Sequence, residues 1–205
     1  MKRIVFIGAP SCGKSTLATA VFTALKQAGR QAEHVDEFVR RDIQINGPMM
    51  SIWEQYRTRQ FQKELEDAVP NTGYLICDSG TLMPYFYAIL YANANETRQR
   101  LVLQDMHNYL IDDLYLRRYD MVFYLPLLQV THLDDGTRYQ TDDEVRGLDE
   151  HMRLVFTKLH RLNNVYTVDS AFDHRLDEVL WKILGIDRLT LVAQPDILNF
   201  SIQNY

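Results

Sequence analysis

Cysteine is scarce. The chain of 205 residues holds two, Cys12 and Cys77, so it has no disulfide framework and no cysteine-rich metal site, and a reducing, cytoplasmic setting is the expectation. Long apolar runs are missing as well. No stretch approaches the roughly 20 residues needed to cross a bilayer, and the first residues already read as a strand, so neither a membrane span nor a signal peptide is expected. Positive charge is not in excess either: 22 Lys and Arg stand against 27 Asp and Glu, a net charge of −5. That balance provides no overall electrostatic footprint for wrapping nucleic acid. With 46% hydrophobic and 24% charged residues the composition is that of an ordinary globular protein, and the length suits one large α/β domain with a sizeable core. There is no internal repeat and no low-complexity linker.

Against these absences one segment stands out. The apolar run Lys2-Arg3-Ile4-Val5-Phe6-Ile7 reads as a buried strand, and Ser15 to Leu25 reads as a helix. Between them lies Gly8-Ala9-Pro10-Ser11-Cys12-Gly13-Lys14-Ser15, the G-x-x-x-x-G-K-S spacing of a phosphate-binding loop. Glycines let the backbone turn its N–H groups inward, and the positive end of the following helix adds to them. Gly8, Ala9, Pro10, Ser11, Cys12, Gly13, Lys14, Ser15 and Thr16 are therefore the expected nucleotide contacts. Lys14 reaches toward the β- and γ-phosphates, and the Ser15 hydroxyl is an expected Mg²⁺ ligand. Cys12 reads either as a redox-sensitive thiol at a helix start or as a small filler.

Strands and helices then alternate. Gln31 to Asp36 is a weak second strand, and Asp36-Glu37-Phe38-Val39-Arg40-Arg41-Asp42 concentrates charge at its carboxyl end. Ligands of open α/β sheets sit beyond that end, so Asp36 or Glu37 is placed to act as base toward an acceptor hydroxyl; a solvated helix start is the alternative. From Met50 to Ala68, Ile52, Trp53, Tyr56, Phe61 and Leu65 recur at helical spacing, with Arg57, Arg59 and Gln60 on the same helix. Tyr74 to Cys77 is a buried strand ending in Asp78, the position of a Mg²⁺-organising carboxylate. The aromatic run from Pro84 to Tyr91 reads as core or as a stacking surface. A helix over about 96–116, a strand over 121–125 and a polar stretch over 131–142 follow. The last reads as a mobile lid whose arginines, Arg138 or Arg146, would neutralise a transferring group. A helix to Leu162, a fifth strand over 164–169 and a helix from Phe172 to Leu184 complete the pattern. Residues 186–205 form a partly apolar tail, expected to pack on the 1–185 domain or on a partner.

Taken in order, GAPSCGKST, HVDEFVRR, LICDS, RRYDMVFYLP and LDDGTR resemble the P-loop kinases related to the bacterial ribosylnicotinamide kinase domain, grouped with AAA-type ATPases. The resemblance covers about 1–185. It implies an α/β fold, the P-loop NTPase three-layer sandwich, with a parallel five-stranded sheet, helices on both faces and a lid after the fourth strand. It implies that Lys14 and Ser15 bind ATP and Mg²⁺, that Glu37 and Arg40 lie on the acceptor side, that Asp78 follows the third strand, and that Asp135 and Arg138 belong to the lid. The stretch Gln129 to Leu133 departs from the family pattern, which has a tryptophan before its D-D-G segment. The expected activity is transfer of a γ-phosphoryl group to a hydroxyl of a nucleoside, nucleotide or nucleotide-like acceptor, with Arg57 a further acceptor contact. Related bacteriophage kinases act on hydroxymethylpyrimidines in DNA, and a patch of Arg40, Arg41, Arg57 and Arg59 would suit such an acceptor. An NTP-hydrolysing switch or assembly ATPase, and a nucleotide binder without turnover, are the other classes open to this sequence.

Overall fold

The computed structural model describes residues 1–71, 73–128, 139–159 and 162–185. The first strand, β1 (Lys2–Ile7), leads into α1 (Lys14–Gln27), β2 (Ala32–Val35), α2 (Phe38–Asn46) and α3 (Ile52–Asp67). Then come β3 (Tyr74–Asp78), α4 (Met83–Tyr91), α5 (Thr97–Tyr115), β4 (Met121–Tyr124), α6 (Asp142–Lys158), β5 (Val165–Thr167) and α7 (Arg175–Leu184). The five strands form one parallel sheet in the order β2-β3-β1-β4-β5.

Side chains of β1 alternate between two separate apolar layers, which is why the strand reads as continuously hydrophobic. Ile4 and Phe6 join Leu17, Val21, Leu25, Val179 and Leu180 on the face covered by α1 and α7. Val5 and Ile7 face the other way, toward Phe86, Met106, Leu110, Met152 and Phe156 of α4, α5 and α6. This is the three-layer α/β sandwich, with helices on both faces of the parallel sheet. Ser51 and Glu54 close a capping box at the start of α3, and Thr141 and Glu144 close another at α6.

Three elements differ from the sequence reading. The charged segment after β2 forms a helix of its own, α2, and none of its residues is buried. α7 begins at Arg175, because Ala171 to His174 form a turn closed by the His174 N–H on the Ala171 carbonyl. Only part of the hydrophobic pattern of α3 reaches the core: Ile52 is buried and Tyr56 packs against the core, but Gln55, Thr58, Arg59, Gln62 and Glu66 face the interior, while Trp53, Phe61 and Leu65 are exposed. The inward residues find charged and polar partners, Arg59 on Asp113 at 2.8 Å and Arg118 on Glu66 at 2.9 Å, so polar pairing decides which face is buried. Asp135, Arg138 and the 186–205 tail lie outside the described residues. Among the described residues no helix is long and apolar enough to cross a membrane.

Phe123 of β4 is fully buried and lies between the rings of Phe6 and Tyr166, at 5.4 Å from each. Truncating it opens a cavity in the α1 and α7 layer. Phe123→Ala should cost about 3–5 kcal/mol, read as a lower denaturant midpoint with an unchanged slope.

Candidate active site

β1 is central and the strand order reverses around it, with β3 on one side and β4 on the other. The loop that leaves β1 therefore opens at the topological switch point, where α/β sheets hold their ligands. Gly13 occupies the left-handed region at φ 91°, and a Cβ there would come within 2.6 Å of the Phe172 ring, so the loop needs glycine on both counts. Lys14 is buried and its Nζ donates to the Ala9 carbonyl at 3.3 Å. Pro10, Ser11, Gly13, Lys14, Ser15 and Thr16 line a cavity of about 290 Å³. Gly8, Ala9 and Cys12 are buried beneath it.

Across the cavity stands Glu37, at the amino end of α2. Burial raises its pKa, and the nearby Asp78 carboxylate does the same; Lys14, the Ser79 hydroxyl and Arg40 act in the opposite sense. Asp36 is placed differently. Its carboxylate is 80% exposed and sits 3.3 Å from His34, and it does not line the cavity. Of the two acids expected beyond β2, Glu37 is the one that shares a cavity with Lys14.

Asp78 pairs in register with Phe6, whose side chain lies in the α1 layer. This puts Asp78 on the face of the sheet that carries α1 and Ser15. Asp78 is 3% exposed. Among the described residues no three His, Cys, Asp or Glu side chains converge as a metal site. Ser15 and Asp78 fit Mg²⁺ nonetheless, because that ion takes one or two hard oxygen ligands from a protein and the rest from phosphates and water.

Arg40 lines the cavity together with Val39, Ile43, Met49, Tyr87 and Tyr91. Arg57 does not. It points outward and pairs with Asp42 at 3.3 Å over the Phe61 ring. Arg59 is buried against Asp113, so the four arginines Arg40, Arg41, Arg57 and Arg59 do not form one exposed patch. Arg146 pairs with Asp143 at 3.2 Å, away from this cavity.

Four site residues escaped the sequence reading. Arg175, 2% exposed, donates to the carbonyls of Cys12 at 2.5 Å, Pro126 at 3.3 Å and Ser170 at 3.3 Å, tying the phosphate loop to the ends of β4 and β5. Phe172, 58% exposed, lies against Gly13 and lines the cavity. Ser79 holds a left-handed backbone at φ 65°, a strain of about 1 kcal/mol or more outside glycine; its hydroxyl donates to Asp78 at 3.5 Å and acts to lower the Glu37 pKa. Gln55 is buried and lines the cavity, its amide nitrogen on the Met49 carbonyl at 3.2 Å. A Ser-Gly pair after a strand-ending Asp was a usable signal for Ser79. Nothing in the local sequence marks the other three.

Cys12 is a filler and not a sensor: its thiol is 3% exposed and burial pushes its pKa up, against the opposing pull of Lys14 and Arg175. Cys77 is buried as well, its thiol pushed further up for the same reason. Both thiols should stay unalkylated by iodoacetamide at pH 8 in the folded chain and react in denaturant, as counted by mass spectrometry; fast labelling of folded Cys12 would contradict this.

The family described as AAA domain matches residues 3–174. No curated protein matches the chain in sequence. Among solved structures it is similar to NadR protein in complex with NR, with a TM-score of 0.70 and 17% identity over 91% of this chain and 51% of that one. It is similar also to NadR protein in complex with NAD and AMP-PNP, at TM-score 0.67 and 15% identity over 91% and 50%. Deoxyadenosine kinase from M. mycoides with bound dATP gives 0.60 and 14% identity over 89% and 99%. The chain thus spans about half the length of the NadR structures, and at these identities the likeness is one of fold. The family match, running from the second residue of β1 to the threshold of α7, rests on the sequence itself: the chain belongs to the AAA domain family.

Proposed function

We propose that this protein is a kinase that transfers the γ-phosphoryl group of ATP to a hydroxyl of a nucleoside-type acceptor. The observation that carries this is the shared cavity, in which the phosphate loop and Lys14 form one wall and Glu37 stands on the other. A hydrolytic switch could use the acid to activate water, but it has no need of the apolar and aromatic pocket beside it.

The loop amides and Lys14 hold the β- and γ-phosphates, and Lys14 exchanges its bond to the Ala9 carbonyl for phosphate oxygen. Phe172 offers a flat ring beside Gly13 for the base of the nucleotide. Ser15 would hold Mg²⁺, with Asp78 organising its surroundings, and the ion would supply charge neutralisation on the phosphates. Glu37 accepts the proton of the acceptor hydroxyl, whose oxygen bonds to the γ-phosphorus as the bond from that phosphorus to the β–γ bridging oxygen breaks and ADP leaves. Asp36, turned to solvent, has no part in this, and Arg138 and Asp135 are proposed to act from the lid.

The walls favour an uncharged heterocycle. Ile43, Met49, Tyr87 and Tyr91 give apolar and aromatic surface, Gln55 one amide, and Lys14 and Arg40 are the cations among the described lining residues. A cavity of about 290 Å³ is at the small end of small-molecule sites. It supports a nucleoside over duplex DNA, whose phosphates would call for an exposed basic surface.

Incubating the protein with γ-labelled ATP and a panel of nucleosides should label a nucleoside; label appearing only in free phosphate overturns the proposal. Glu37→Gln should lower kcat by about a hundredfold or more while ATP still binds. A carboxylate serves as base only when ionised, and burial raises the pKa of Glu37 above the ordinary 4.5. Activity should therefore fall as pH is lowered through a value above 4.5 in a pH–rate profile.

A further inference from the structure

The interior face of α3 carries a buried acid that the proposed chemistry does not use. Glu66 has no solvent exposure. Its carboxylate accepts from the Tyr119 hydroxyl at 2.9 Å, from Arg118 at 2.9 Å and from the Gln62 amide nitrogen at 3.3 Å. Were stability its only role, an apolar side chain of the same size would serve there at least as well. The bonds leading away from Glu66 run instead toward the site.

One arm passes through Gln62. A carboxylate only accepts, so it fixes the Gln62 nitrogen toward itself and turns the amide oxygen outward. That oxygen accepts the Phe38 N–H at 2.9 Å. Phe38 is the first residue of α2 and follows Glu37 directly, and the first N–H groups of a helix have no partner within it. α2 buries no residue; its ties to α3 include the 5.0 Å stack of Phe38 on Phe61, the Asp42–Arg57 pair farther along and this bond, which holds its first N–H.

The other arm passes through Tyr119, whose hydroxyl accepts the Thr81 N–H at 2.8 Å. Thr81 lies two residues beyond Ser79, and Ser79 and Gly80 line a small cleft with Glu37 and Gln62. Between Ser79 and Thr81, Gly80, at φ 55°, passes so close that a Cβ would meet the Tyr119 hydroxyl at 2.7 Å. The backbone that carries Glu37 and the turn that lies beside it both lead back to one acid.

We propose that Gln62 and Glu66 are positioning residues that hold Glu37 against the phosphate loop, a role that rests on Glu37 acting on the acceptor hydroxyl. Lys14, Arg40, Asp78 and Tyr87 act electrostatically with Glu37 in the site, and changing Gln62 leaves all four in place.

Gln62→Met keeps the bulk and removes both polar ends. Its kcat for nucleoside phosphorylation should fall about tenfold to a hundredfold, the cost of displacing a reacting group by about an ångström, with the KM for ATP within about twofold. By hydrogen exchange, the Phe38 amide should be protected in the unmodified chain and lose that protection in Gln62→Met. An unprotected Phe38 amide in the unmodified chain overturns the proposal. So does a folded Gln62→Met with lower thermal stability and full kcat, since that is a structural role alone. If Gln62→Met does not fold, Tyr119→Phe decides by the same split: reduced kcat at unchanged KM for ATP supports the proposal, and unchanged kcat overturns it. A Glu37→Gln variant that transfers phosphate at full rate defeats the underlying reading, whereas an inactive Glu37→Gln beside a fully active Gln62→Met defeats only this one.

Discussion

β1 has a parallel neighbour on each side and a helical layer on each face, and that complete enclosure is the constraint on which the rest of the molecule depends. From Ile4 to Ile7 its side chains must be apolar, and its backbone groups there pair with the neighbouring strands and the residues that continue them. A strand so enclosed can release its chain only at the sheet end, in the gap left by the reversal of strand order. The glycine-rich turn, the start of α1 and the ends of β3 and β4 therefore meet at one point. Asp78, level with Phe6, and Leu125, whose N–H continues the ladder onto the Ile7 carbonyl at 2.8 Å, border the loop for the same reason.

The electrostatics of that point are set by unequal company. The described partners of Arg175 are three carbonyls, so its charge adds to the positive field of the loop without cancelling an acid. Lys14 rests on a carbonyl of the same loop. Burial raises the Glu37 pKa, and the nearby Asp78 carboxylate helps to keep it high. The loop side of the cavity is thus rich in positive charge, and an acid with a raised pKa is a better proton acceptor than an ordinary surface carboxylate.

Much of this was legible from residue order because it is local. Strand-loop-helix spacing identifies Gly8 to Ser15, and an apolar run ending in acid identifies Asp78. The choice between Asp36 and Glu37 was not legible, since adjacent residues differ only in which way the chain turns, and the turn is set by the Phe38 N–H bonding to Gln62 on another helix. α3 misleads for a related reason: Trp53, Phe61 and Leu65 mark the face that periodicity assigns to a core, yet Asp113 and Arg118 await the opposite face. Arg175 and Phe172 reach the loop from more than 150 positions away in sequence, 163 for the bond from Arg175 to Cys12, and no window along the chain contains both partners.

The shallow seating of α2 has a consequence for the cavity wall. A helix with no buried residue has little apolar contact to lose, so it belongs to the low end of the range of local unfolding free energies and opens long before the sheet does. Val39, Arg40 and Ile43 of this helix form part of the cavity wall. The part of the cavity wall that α2 supplies is thus held more lightly than the phosphate loop, which Arg175 clamps.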